Sequence, residues 1–498
     1  MKIETNTPVL VGAAAVQQRV EDPTRAKEAY RLMSDAVRAA AADAGSVHLL
    51  EETDVIAVPQ GMWSYTDPAR LVAHETGATQ ASTVFAEIGI LQQSLIADAC
   101  EKISQGDVSV AVVTGGEAKY RQLRARITGV EAPELDQQNV TADAVLKPAD
   151  EIWLQAESKA GLAMPVGFYA IAASAYRAAR GMTLEAYDAE VAAMYERFSD
   201  IAANNPDAWS QHKVSAEAIR TSGPKNPMLA LPYNKSHNTS WNVDQAAGLI
   251  FTSAAKAVEI GVPREQWVFP LASAESNHMV PLSLRRRLDR LPGAEACARA
   301  ALAAGSLSAD DIDFWELYSC FPVAVQMYAR EAAVPSGADL TVTGGMPFAG
   351  GPLNNYVLQA TVKMTENLRQ KAGSKGMVSS VSGMLTKQAY GLWSRNPGER
   401  GFVCLDLTAE VSLSSKPKEL LEDYEGQATI AGYTVLFEQN EPQRGIAVVD
   451  VDAERRSVVF SEEPADVDMM LSSECVGRKI HVQAGRFRII AGSGTSDS

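Results

Sequence analysis

At 498 residues the chain is too long for one ordinary hydrophobic core, and two or three domains are expected. A formal net charge of -16 disfavours a general nucleic-acid or anionic-membrane role, because attraction to phosphates needs a basic surface. Five scattered cysteines without a CxxC pair suggest neither a disulfide framework nor a metal site, Met1 to Val20 lacks a signal-peptide core, and no apolar run reaches the roughly 20 residues that span a bilayer, so a reducing cytoplasmic setting is expected.

In chain order, Val9 to Ala15 (VLVGAAA) reads as a buried strand, and Thr24 to Gly45 as an alanine-rich helix closed by glycine. Asp54 to Val58 (DVIAV) is a second strand, and Gln92 to Gln105 a helix ending at Gly106. Val108 to Gly115 (VSVAVVTG) is a continuous apolar strand of the kind buried on both faces of a sheet. The pattern then returns. RAAAADAGS before DVIAV answers to RAALAAGS before DIDFWEL, and GILQQ from Gly89 answers to GPLNN from Gly351; each is followed by a helix and a strand, the second being Gly376 to Ser382. Two related halves of one α/β core are implied.

Between the halves, Glu117 to Ser236 is a helix-rich insertion in which Thr183 opens a helix with Glu185 near its start. After Ser415 a charged connector leads to short β-rich runs, GQATIAGYTVLFE, QRGIAVVDVD, RSVVFSEE and GRKIHVQAGRFRII. These suggest a small all-β, OB-like barrel of about 80 residues, with GSGTSDS as a disordered tail. The segment has more acid than base and no cluster of basic and stacking aromatic residues, which argues against nucleic acid as its partner.

The stretch GGMPFAGGPLNNY from Gly344 to Tyr356 resembles the second signature loop of the thiolase superfamily, GG-four-GHP. Gly344 and Gly345 match the opening pair, and Gly350 and Pro352 flank the family's histidine, whose place is held by Gly351. The resemblance covers about Pro8 to Thr408. With the β-rich addition it is similar to thiolase-like proteins of type 1, and to the sterol-carrier type. It implies a duplicated, layered αβαβα fold divided as 1–116 plus 237–264, a helical loop domain at 117–236, a second half at 265–412 and an added β-domain at 418–492. It also implies an acyl-CoA thioester as substrate or ligand, no permanently bound cofactor, and a monomer or homodimer.

The chemistry departs from the family. A thiolase needs a nucleophilic cysteine, an oxyanion hole and a second cysteine as acid-base. Counting back from Gly106, the nucleophile's place is held by Gly89; the second cysteine's place falls at about Val381; and Cys100 sits mid-helix as a structural thiol. In the third loop, Tyr318-Ser319-Cys320-Phe321 resembles the sterol-carrier pattern His-Asp-Cys-Phe. A tyrosine there resembles aldolases that cleave steroid side-chain CoA thioesters, so Tyr318 suits either acid-base work or packing beside the pocket. Cys320 is a replacement nucleophile only if a base stands near it. His237 and His278 are the histidines near core motifs: the first suits a structural role, the second either structure or a cleft wall.

Asn355 suits orientation of a thioester or a water, Asn354 a helix cap, and Tyr356 either the pocket or packing under the loop. Asn238, Ser240, Asn242 and Asp244 suit the shaping of a turn. Lys119, Arg121, Arg124 and Arg126 at the insertion's start form either a nucleotide-phosphate contact or a solvated basic turn, and Lys387 suits a phosphate or carboxylate. Three readings follow: an acetyl-CoA acetyltransferase-like enzyme of lipid metabolism with altered groups, a retro-aldolase using Tyr318 with backbone donors near Gly89 and Gly351, and a non-catalytic CoA-ester binding protein.

Overall fold

The computed structural model describes residues 3–150 and 152–490. The first half is a six-stranded sheet in the order Pro8–Gln17, Asp244–Ser253, Val110–Ala118, Val55–Pro59, Ser82–Ala86, Ala144–Leu146. The continuous apolar run becomes Val110–Ala118, buried at every position. The alanine-rich helix is Ala29–Asp43. It starts later than its sequence suggests because Asp22 accepts from the Thr24 amide and hydroxyl at 3.0 and 2.7 Å and makes a turn there. Its alanines have a reason in the sheet beneath. A Cβ on Gly248 would lie 2.9 Å from the Ala36 carbonyl, and one on Gly12 would overlap that of Ala40, so helix and sheet meet backbone to backbone.

The second half repeats the plan in a five-stranded sheet, Phe314–Glu316, Lys375–Ser382, Lys387–Ser394, Phe269–Ser276, Val403–Asp406, with Pro292–Ala304 as the answering helix. The halves join where Leu10 and Val268 exchange amide and carbonyl at 2.9 and 3.0 Å. Helices Gln92–Gln105 and Tyr356–Gln370 lie between the sheets and cross-link them. Gln93 donates to Ser273 Oγ at 3.1 Å, Ser94 to Glu275 at 2.6 Å, and the Val357 amide to Gln92 Oε1 at 2.8 Å. The repeat in the sequence is therefore the two-sheet, three-helix-layer thiolase-like fold.

In the insertion, helices Pro165–Ala179 and Leu184–Ala203 dominate, the second capped as expected by Thr183, whose hydroxyl accepts from the Ala186 amide at 3.1 Å. The C-terminal domain consists mainly of strands, with one helix, Pro464–Ser472, packed on them; Val435, Val449, Met470, Ile480 and Phe487 are buried inside it. Burying each of these stabilises by about 1.5–3 kcal/mol. Its sheet extends beyond its own sequence. Met228–Ala230 and Tyr233–Asn234, from the insertion, add to the edge of Gly426–Glu438, the Leu231 amide donating to the Val435 carbonyl at 2.9 Å. The same long strand packs on helix Pro165–Ala179, with the Tyr433 amide donating to Ser174 Oγ at 2.8 Å. Among the described residues no helix is long and apolar enough to cross a membrane. The GSGTSDS tail lies outside them.

Candidate functional site

The glycine-rich loop is shaped by what presses on it. Gly344 and Gly345 have φ of +100° and +76°, and a Cβ on Gly345 would lie 2.5 Å from the Phe198 ring while one on Gly344 would overlap Ala202. The loop backbone thus lies directly against helix Leu184–Ala203. The Gly344 and Gly345 amides donate to Thr341 Oγ1 at 3.0 and 3.1 Å. Beneath them Glu316, 1% exposed, accepts from Tyr356 Oη at 2.6 Å, the Val342 and Thr343 amides at 2.7 and 3.0 Å, and Thr341 Oγ1 at 2.9 Å. Burial pushes its pKa up, and these donors pull it part of the way back. Tyr356 therefore packs under the loop and holds its anchor.

The two positions that the resemblance assigns to the family's nucleophile and histidine are crowded by neighbouring side chains. Gly89 has φ +110°, and a Cβ there would meet the Pro148 ring at 2.9 Å. A Cβ on Gly351 would overlap Thr239 Cγ2 and come within 3.1 Å of Met346 Cε. The backbone is spoken for as well: the Gly351 amide donates to the Ser240 carbonyl at 2.9 Å, and the Gly89 carbonyl accepts from Lys387 Nζ at 2.7 Å. The Gly351 amide is thus not a free oxyanion donor. Lys387, 6% exposed and pushed down in pKa by burial, ties the two halves together instead of offering a surface cation.

Tyr318 and Cys320 come together in an aromatic shell. Tyr318 is 8% exposed and meets Tyr356 edge-on at 5.7 Å, with the Gln92 amide beside its hydroxyl; burial pushes its pKa up. Cys320 neighbours the Tyr169 hydroxyl, and burial pushes its thiol up to about 12, so it is protonated at neutral pH. Tyr169 stacks on Phe321 at 4.3 Å and 27°. The nearest histidine in this shell is His237, whose ring is 5.9 Å from Tyr195 and 5.7 Å from Tyr233. Its Nδ1 accepts from the Asn234 amide at 3.2 Å and burial lowers its pKa to about 4, so it is a structural, neutral ring.

Asn355 is 1% exposed, and neither its Nδ2 nor its Oδ1 has a partner; a Cβ on Gly115 would lie 3.1 Å from its oxygen. Asn354 does not cap the next helix, because its amide reaches across to the Gln60 carbonyl at 2.8 Å. Asp244, at the start of its strand, accepts from the Arg121 amide at 3.0 Å and Gln18 at 3.1 Å and so ties that strand to two other segments and not to its own turn; burial raises its pKa to about 6. On the adjoining strand Glu117, 1% exposed, accepts from the Met62 amide at 2.6 Å, and burial raises it to about 7.

The cations expected at a nucleotide are engaged elsewhere. Arg121 is 5% exposed and donates to the carbonyls of Ala26, Ala132 and Pro133 at 3.2, 3.1 and 3.0 Å. Arg124 pairs with Glu21 at 2.8 Å. Both hold the insertion's first turn to the core. His278 stands apart, lining a separate cavity with its Nε2 3.4 Å from the Ser415 carbonyl. Sequence reasoning passed over Thr239, Pro148, Tyr169 and Glu316. Only Glu316 carried a signal, as an acid inside the apolar run FWELY, a setting acids enter only when fully bonded.

A family model of the thiolase-like protein type 1 additional C-terminal domain matches residues 406–486. No curated protein matches the sequence. Among solved structures, the chain is similar to a monomeric SCP2-thiolase like protein type 1 from Mycobacterium smegmatis, with a TM-score of 0.84 and 25% identity over 99% of this chain and 100% of that one. It is also similar to an Ltp2-ChsH2(DUF35) aldolase, with a TM-score of 0.56 and 17% identity over 78% and 98%. An acetyl-CoA acetyltransferase from Syntrophomonas wolfei gives 0.56 and 20% over 79% and 100%. At these identities the last two establish the fold alone.

Proposed function

We propose that the chain, which has the fold of thiolase-like proteins and whose residues 406–486 match the additional C-terminal domain of type 1, binds a CoA thioester and does not transfer its acyl group through an enzyme-bound thioester. The observation that carries this reading is the filling of both catalytic places, Gly89 by Pro148 and Gly351 by Thr239. Acyl transfer needs a thiolate, and Cys320 is a protonated thiol, while the histidine of its shell, His237, has its Nδ1 taken by the Asn234 amide. The unpartnered Asn355 amide supports the binding half of the proposal, because a buried carboxamide without partners is stabilised by any polar atom brought to it. CoA thioesters would place the protein in lipid metabolism, in the cytoplasm.

Calorimetric titration with CoA, acetyl-CoA and a longer acyl-CoA tests the reading, with product analysis alongside. Saturable binding with neither free CoA nor a lengthened acyl chain is expected. Release of CoA with chain lengthening would overturn the non-thiolytic half, and no binding of any of them would overturn the other.

A second reading has one observation in its favour, the Tyr318 phenol set beside the Gln92 amide. With a raised pKa Tyr318 suits proton donation to an oxyanion, the acid's part in carbon-carbon cleavage of a β-hydroxyacyl thioester. A carbonyl product with the thioester left intact, abolished in Tyr318→Phe while binding persists, would favour this second reading.

A further inference from the structure

The segment Arg285–Arg290 separates two cavities. One, about 1050 Å³, opens between helix Pro165–Ala179, this segment and the C-terminal domain. Its buried charges balance, Arg177 meeting Glu474 and Arg456 meeting Asp450, each at 2.6 Å. The other, about 290 Å³, lies beside His278 and the first turn of helix Pro292–Ala304. Arg285, Arg286, Arg287 and Arg290 all line it, and Glu295 is the one acid on its described wall. In a chain of net charge -16 this is a marked local reversal.

Three of the arginines have carboxylate partners. Arg286 meets Glu454 at 2.7 Å, Arg287 meets Asp289 at 2.7 Å, and Arg290 meets Glu331 and Glu295 at 3.0 and 3.1 Å. Arg285 differs. It is 8% exposed, and it donates only to the backbone carbonyls of Val280 at 3.2 Å, Gly383 at 3.4 Å and Met384, with no ion pair among the described residues. Burial lowers its pKa to about 10, which leaves it cationic at neutral pH. The Glu157 carboxylate acts on it only through space, and a buried cation bonded to neutral dipoles alone is costly unless an anion reaches it. Guanidinium forks fit phosphate oxygens two at a time, and Gly293, in the first turn of helix Pro292–Ala304, lines the same wall.

We propose that this cavity is a site for a phosphate-class oxyanion, held by Arg285, Arg287 and Arg290. Its volume takes orthophosphate, pyrophosphate or the phosphoryl end of a larger ligand. The site does not rest on the CoA reading, since Tyr318, Gly89 and Gly351 are not among the residues that line it and it would bind phosphate whether or not a thioester binds.

The test is calorimetric titration of the full chain, in buffer of matched chloride, with orthophosphate, pyrophosphate and adenosine 3′,5′-bisphosphate. It is repeated on Arg287→Gln and Arg290→Gln, with Arg486→Gln in the C-terminal domain as control and thermal melts to confirm folding. Arg287 is the more telling position, because its side chain is 63% exposed, and the thermal melts read the effect of leaving Asp289 without it. Saturable binding of at least one probe is expected, weakened about tenfold or more in either cavity variant and unchanged in the control. Orthophosphate binding identifies the free ion as the source, and binding of the bisphosphate alone identifies a nucleotide's phosphoryl group; either supports the site. No saturable binding of any probe, or binding that both cavity variants retain, overturns it.

Discussion

Glu117 shows how burial sets a residue's response to pH. Its ordinary pKa of 4.5 is raised to about 7 in the fold, so the native state holds this proton more tightly than the unfolded chain does. The contribution to stability is complete below about pH 4.5 and is lost as pH rises through about 7. Glu117→Gln keeps an acceptor for the Met62 amide and removes the titration, so its melting temperature relative to the parent should climb between about pH 5 and about pH 8. A constant difference over that range would show that Glu117 ionises normally. Because Asp244 also raises Glu117, part of the Glu117 shift should vanish in Asp244→Asn. At Gly351 the expected effect is steric. Gly351→His forces its ring against Thr239 and should cost about 1–3 kcal/mol in urea denaturation without gaining thiolytic activity. Adding Thr239→Gly should return part of that loss. The sequence made the glycines at 89 and 351 visible and hid their cause, because Pro148 and Thr239 lie 59 and 112 positions away in the chain.

At the scale of elements, the short strand Ala144–Leu146 ends the first sheet. It pairs parallel with Ser82–Ala86 and covers the edge of the first sheet. Asp143 secures it by accepting from the Thr83 amide at 2.8 Å and Arg70 at 2.6 Å, while Lys147 and Pro148 follow it directly. A short edge strand followed by a charge and a proline resists further pairing. The full chain should therefore sediment as a monomer, and Val145→Pro, which breaks this cover, should promote self-association in concentration-dependent sedimentation. A stable dimer of the parent chain would show that another surface pairs. Elements of this length explain the limits of sequence reading. The duplicated halves were legible because each repeats an alanine helix, an apolar strand and a glycine turn, and the C-terminal strands because they alternate between turn signals. Ala144–Leu146 and Met228–Ala230 were not, since three residues carry no periodicity and their partners are distant.

Across the whole molecule the C-terminal domain is built into the rest. Arg177, 2% exposed on an insertion helix, donates to Tyr433 Oη at 2.9 Å, and the Lys418 amide donates to the Leu284 carbonyl at 2.8 Å. At Gly432 a Cβ would lie 2.9 Å from Leu288 and 3.0 Å from Ile171, so that strand presses on two other parts of the chain at once. One calorimetric transition is expected for the full chain, and Gly432→Val should lower it as a single peak, by about 1–3 kcal/mol. Two separated transitions, with only the smaller one moved, would show an independently folding domain.

The edge strand Met228–Ala230 carries a consequence for how the protein is made. Its partner, Leu436 in Gly426–Glu438, is synthesised about two hundred residues after it, and chains grow at roughly 5–20 residues per second. For those seconds the insertion waits on the ribosome with an open backbone edge and with helix Pro165–Ala179 uncovered. A nascent chain stalled before Gly426 should therefore be a better client for holding chaperones than one extended past Glu438, whose strand closes that edge.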